Sequence, residues 1–104
     1  MTEVISARNK SGLLFPVGQV LMTEAVTDFF EDKPGVALSW LKKHVKGDWG
    51  DISSDDAEVN QDALNTGSRL FSSYDLGSDS EESKLWIITE SDRSVTTLLF
   101  PSDY

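Results

Sequence analysis

The sequence has no cysteine, a single histidine and three prolines, and bases are nearly missing from its middle third. Without cysteine there is neither a disulfide framework nor a thiolate metal site. No apolar run approaches the roughly 20 residues that would span a bilayer. The N-terminal residues lack the basic start and apolar stretch of a secretory leader. A soluble, cytoplasmic chain that meets no membrane is the expectation. The seven glycines are scattered singly, so no phosphate loop or dinucleotide fingerprint forms. No Gly-x-Ser-x-Gly elbow is present and no serine is placed by pattern beside the histidine, which leaves nucleophilic catalysis without a signature.

Acids outnumber bases 18 to 9, for a net charge of −9 at pH 7. Between Asp48 and Glu82 stand ten acidic residues and one base, Arg69, so this stretch carries the whole imbalance. Such one-sided acidity argues against direct nucleic-acid binding, which needs clustered Lys and Arg to neutralise phosphates. It suits either solubility or a basic protein surface. Ten aromatic residues are too many for a disordered acidic tail,. A chain of 104 residues can build one modest core,.

Residues 1–12 are polar and aperiodic and read as a flexible arm, with a single α+β domain over 13–104. Residues 13–22 are apolar but contain Pro16, which cannot donate to a ladder. They read as an edge strand or an extended loop leading into one, and Pro16 argues against that edge pairing with a second copy. Thr23 can cap a short helix over 24–31. Pro34 suits the first turn of a second helix, in which Ala37, Trp40, Leu41, His44 and Val45 repeat at helical spacing; Lys42, Lys43 and Lys46 suit its C-terminal dipole, and Gly47 supplies the stop. A third helix over residues 54–66 has Asp55 and Glu58 as a capping pair and ends at Gly67. Residues 70–76, 84–90 and 95–100 then read as strands, the second apolar enough to be covered on both faces. The predicted fold is α+β: two or three N-terminal helices on one face of a C-terminal three-stranded antiparallel meander, with an N-terminal edge strand.

Two places concentrate chemistry-bearing residues. The run His44-Val45-Lys46-Gly47-Asp48-Trp49-Gly50-Asp51 joins the only histidine, two carboxylates and an indole. A histidine near carboxylates can act as a general base or bind a metal. Neither the spacing nor the ligand set matches a known metal site, so no metal or cofactor is expected. The competing structural reading has His44 packing on Trp40 while Asp48 and Asp51 shape a turn. The second place is residues 89–94, where Glu90 and Arg93 could meet a ligand, or Asp92 could brace a hairpin while Arg93 pairs with Glu90. Arg69 would meet a surrounding carboxylate, up to a buried ion pair tying helix to sheet. An acid/base or ligand site from His44, Asp48, Trp49, Asp51, Arg69, Glu90 and Arg93 requires the turn and the hairpin to converge.

From about residue 38 onward the chain resembles a family of short bacterial proteins from plasmid- and phage-linked gene sets, described as plasmid-related. The resemblance is carried by His44, Val45, the run 47–51, Asn60, Leu64, Gly67, Arg69, Leu70, Ser73 and Tyr74. It continues through Trp86–Glu90, Asp92, Arg93, Ser94, Thr96, Thr97, Pro101 and Tyr104. It implies a mobile-element accessory protein and transfers no catalytic residue. The leading expectation is a non-enzymatic, protein-binding accessory of a mobile element acting on a basic surface, of which an inhibitor of a host defence nuclease or CRISPR complex is one form. Asp51, Asp55, Asp56, Glu58, Asp62, Asp79, Glu81 and Glu82 would form the carboxylate face that replaces nucleic-acid phosphates on a basic, nucleic-acid-binding partner.

Overall fold

In the computed structural model, which describes residues 14–77 and 83–104, the chain folds as a mixed four-stranded sheet with three α-helices. Strand β1 (Gln19–Met22) leads into α1 (Glu24–Phe29), α2 (Pro34–Val45) and α3 (Ser54–Thr66). Strands β2 (Leu70–Asp75), β3 (Lys84–Thr89) and β4 (Val95–Leu99) follow, and a 3₁₀ turn spans Pro101–Asp103. The arm expected over residues 1–12 lies outside the described residues, as do Asp79, Glu81 and Glu82 of the polar loop before β3. No helix of the described residues is long and apolar enough to cross a membrane.

The local signals act as their chemistry requires. The Thr23 hydroxyl accepts from the Val26 amide and starts α1. Pro34 begins α2, where its missing N–H leaves no bond unmade, and Gly47 turns the chain away with φ +86°,. The cap of α3 differs from the expected Asp55–Glu58 pair. Ser53, one position before the helix, accepts from the Asp56 amide, and the two aspartates only complement the helix dipole,.

The sheet corrects the three-stranded meander. Its order is β1-β4-β3-β2, and β1 runs parallel to β4, with Gln19 opposite Val95 and Met22 opposite Leu98. Pro16 stays out of the ladder because pairing begins only at Gln19, whose amide donates to the Ser94 carbonyl. Gly18 permits this approach: at φ +65°, a Cβ there would stand 2.2 Å from the Ser94 oxygen,. Strands β2, β3 and β4 do form the expected antiparallel set, with Leu70 opposite Thr89 and Thr89 opposite Thr96.

The far edge, β2, is closed by the chain itself. Asn60 of α3 accepts from the Phe71 amide (3.1 Å) and donates to the Phe71 carbonyl (2.7 Å), so one side-chain amide stands in for a neighbouring strand. Two residues further on, the Ser73 amide donates to the Trp49 carbonyl and the Asp51 amide donates to the Ser73 carbonyl. These bonds leave the exposed backbone of β2 little to offer another chain.

Side chains alternate across the strands. Leu85, Ile87, Leu98, Phe100 and Tyr74 point toward the helices and form one core with Val26, Phe30 and Ala37. A second cluster joins Phe15, Val45, Trp49, Ala63 and Leu70 where α2 and α3 meet the end of the sheet. Each such side chain taken out of water stabilises the fold by roughly 1.5–3 kcal/mol. The opposite phase of the strands, with Leu21, Thr97, Leu99, Ile88, Trp86 and Phe71, faces away from all three helices.

Candidate functional site

His44 sits in the last turn of α2 and is fully buried. Its Nδ1 lies 2.5 Å from the Ser72 hydroxyl and its Nε2 lies 2.9 Å from the Thr89 hydroxyl. Thr89 in turn is 2.8 Å from the Thr96 hydroxyl, which donates to the Val17 carbonyl at 2.8 Å. The proton order follows from the end of the chain, because a carbonyl can only accept. Thr96 gives its proton to Val17, so Thr89 donates to Thr96 and must accept from His44 Nε2–H. Nδ1 then has no proton and accepts from Ser72. His44 is held as one neutral tautomer, and the bonds tie α2 to three strands and to the segment before β1.

Burial is the larger cause that pushes the His44 pKa down to about 3, and the Arg93 charge adds to it,. At neutral pH the imidazole is uncharged and its single N–H is committed to Thr89, and Ser72, Thr89 and Thr96 are as fully buried as His44. Edge contacts from Phe15 and Trp49, at 5.3 and 5.7 Å between ring centroids, close the remaining sides. The expected packing partner Trp40 instead lies against Tyr74, 5.1 Å between centroids.

The Asp48–Asp51 turn is largely spent on structure. Asp48 accepts from the Gly50 amide and faces Lys43 at 3.7 Å, while its carbonyl accepts from the Tyr74 phenol at 2.6 Å. Burial is the main cause that raises the Tyr74 phenol pKa well above the usual value, and the nearby Asp48 charge adds to it. Gly50, at φ +79°, lets the turn lie against β2, since a Cβ there would be 2.2 Å from the Ser73 oxygen. Trp49 is buried and stacks on Phe15 at 6.3 Å. Asp51 pairs with Lys84 at 2.8 Å, and the Lys84 ammonium holds its carboxyl below the usual carboxylate range.

Arg93 occupies a left-handed position, φ +60°, in the hairpin between β3 and β4. Its guanidinium explains a residue that is not glycine there. It donates to the carbonyls of Ser68 (2.7 Å), Glu90 (3.1 Å) and Ala63 (3.1 Å), and it lies over the Phe15 ring. The hairpin is thereby bound to the C-terminal end of α3, where free carbonyls favour a cation. Arg93 meets the backbone of Glu90 rather than its carboxylate. Asp92 does brace the turn, accepting from the Ser94 amide and hydroxyl. Arg69 is exposed and forms no ion pair among the described residues, in place of the buried pair considered above.

Strand β3 separates the two candidate places. Asp51 is tied to Lys84 at its start, whereas Glu90 follows Thr89 at its end, about 20 Å further along an extended chain,. His44, Trp49 and Arg93 come together around Phe15, but as an enclosed packing cluster. Among the described residues, no three His, Asp or Glu side chains are grouped to hold a metal ion.

The acidic candidates are arranged differently. Asp55, Asp56, Glu58 and Asp62 of α3 are all exposed. Asp55, Glu58 and Asp62 share one helix stripe around Val59, whose side chain is 59% exposed,. Among the described residues the ion pairs are Lys43–Asp48 and Lys84–Asp51, so none of the four α3 carboxylates is neutralised by a neighbouring cation. A shallow open depression runs between Asp55, Glu58 and Asp62.

No family model, no curated protein and no solved structure matches this chain.

Proposed function

We propose that this protein is a non-enzymatic, protein-binding accessory of a mobile element that engages a basic surface of a host nucleic-acid-binding complex. The observation that carries the reading is the outer stripe of α3. Asp55, Glu58 and Asp62 present carboxylates that pair with no cation among the described residues, around an exposed valine on a helix held firmly by Asn60, Ala63 and the Arg93 cap. A rigid row of charges attracts a basic groove at long range, so the docked state is held mainly by contacts that salt screens. The family resemblance supports the mobile-element setting. The enclosure of His44 supports a binding role over proton-transfer chemistry at that residue.

The test is affinity capture from a bacterial host lysate with the wild-type chain and an Asp55→Lys/Glu58→Lys/Asp62→Lys chain. Washes at about 50 mM and then 500 mM salt separate screened from unscreened contacts. The expected result is a nucleic-acid-binding complex that the wild type retains at low salt, releases at high salt, and the reversed chain does not recover. Equal recovery by both chains, or recovery indifferent to salt, refutes the acidic-face reading.

A further inference from the structure

We propose that the cleft between the end of α1, the start of α2 and the end of β2 binds a free aromatic amino acid as its zwitterion. The cleft holds about 420 Å³, at the small end of the range for small-molecule sites, and Phe29, Phe30, Val36, Trp40 and Leu76 make its body apolar,. Phe29 and Val36 remain 42% and 41% exposed, so two large apolar side chains of its wall stand in water.

The same wall carries an unmet hydrogen-bond donor. Among the described residues, Trp40 Nε1 is the one buried side-chain nitrogen or oxygen without a partner. The indole is otherwise engaged, with Tyr74 at 5.1 Å between ring centroids and the Lys43 ammonium 5.8 Å from its own. A buried donor left unpaired is costly and points to an acceptor brought from outside. The nitrogen is screened from water while Trp40 borders the cleft and is only half-buried as a residue. A small turn of the indole, made when a ligand is seated, therefore pairs the N–H with it.

Charge selects the ligand. Lys33 and Asp32 both border the cleft, both are exposed, and neither forms an ion pair among the described residues. Helix α2 reinforces Lys33, because it starts there with no side-chain cap and no acid in its first turn, which leaves the positive end of its dipole unanswered,. Lys33 and the Trp40 N–H call for a carboxylate, and Asp32 calls for an ammonium next to it. A simple acid would face the like charge of Asp32, and a simple amine would face Lys33 and the helix end. An α-amino acid carries both groups on one carbon and meets both demands. The rings of Phe29 and Phe30 already meet edge to face at 5.0 Å, and with Trp40 they favour an aromatic side chain in the body of the cleft,.

Proton–nitrogen correlation spectra of the full chain resolve the indole N–H groups of its three tryptophans, and Trp40→Phe identifies the Trp40 signal. On titration with L-phenylalanine to about 10 mM, that signal is expected to move downfield and saturate, with its midpoint near or below about 1 mM. The signals of Trp49 and Trp86 should stay in place, which also reports an intact fold. Phenylpropionate, phenethylamine and glycine lack the ammonium, the carboxylate and the ring in turn, and each should bind at least about tenfold more weakly. Asp32→Asn and Lys33→Gln, at exposed positions, should each weaken L-phenylalanine by about threefold or more. The Asp55→Lys/Glu58→Lys/Asp62→Lys chain should bind it as wild type does, so this proposal and the acidic-stripe reading fail separately. A Trp40 signal that does not saturate, equal movement of all three indole signals, or binding of either charge-lacking analogue as tight as that of L-phenylalanine overturns the proposal.

Discussion

Acidification to about pH 5 should unfold this protein more readily through one side chain. His44 is the only histidine, its pKa in the fold is about 3, and the unfolded value is 6.5. Because the folded pKa is depressed, the unfolded chain binds the extra proton. Stability is therefore fully present above about pH 6.5 and falls as pH drops toward the folded pKa. Between about pH 7 and pH 5 the loss is about 2 kcal/mol, with a slope approaching 1.4 kcal/mol per pH unit at the acid end. At pH 5 the folded histidine is still neutral, so the size of this loss is set by the unfolded value. The depressed carboxyl groups of Asp51, Asp92 and Asp103 lose their contribution only at lower pH and do not enter this window. Urea denaturation at the two pH values should show the midpoint falling by about 1 M. His44→Gln removes the titration while keeping a polar side chain. It should be less stable at pH 7 by about 1–3 kcal/mol, because Ser72 and Thr89 lose well-placed partners, and its midpoint should be flat across the same window. A wild-type midpoint that does not move between pH 7 and pH 5 refutes the buried neutral tautomer.

Three further outcomes test the supports around this core. Asn60→Ala leaves the Phe71 amide and carbonyl without their partners and should lower the unfolding free energy by about 2–3 kcal/mol; amide exchange at Phe71 should rise more than at the central strand β3. Arg93→Ala frees the carbonyls of Ala63 and Ser68 and keeps the left-handed backbone strain, a loss of about 2 kcal/mol by urea titration. Arg93→Gly removes that strain as well and should be the milder change. Gly50→Ala would drive a methyl to 2.2 Å from the Ser73 oxygen, whereas Gly67→Ala, at the same φ of +79°, meets nothing within 4 Å. Thermal melting should therefore separate them, with Gly67→Ala costing about 1 kcal/mol and Gly50→Ala at least about 3 kcal/mol.

The helices and the three C-terminal strands were legible because each is written in local chemistry: a cap or proline at the start, a repeating apolar phase, a glycine at the end. Strand β1 was legible as an edge strand, but its parallel partner was not, since pairing with β4 spans more than seventy residues and depends on Gly18 meeting Ser94. The polar core was missed for a more instructive reason. Ser72, Thr89 and Thr96 each occupy the inward phase of an otherwise apolar strand pattern: Leu70, Ser72, Tyr74 on β2, Leu85, Ile87, Thr89 on β3, and Thr96, Leu98, Phe100 after the turn. Thr89 and Thr96 stand opposite each other and Ser72 lies one inward position further along β2, opposite Ile87, and buried hydroxyls so grouped require a polar partner, because each without one costs a few kcal/mol,. In a chain with one histidine on the apolar stripe of α2, that partner can be named from sequence. The same reasoning separates His44 from the surface carboxylates. A titratable group enclosed by hydroxyls of fixed donor order is committed to the fold, while Asp55, Glu58 and Asp62, which cap nothing and pair with no described cation, remain free to meet another molecule.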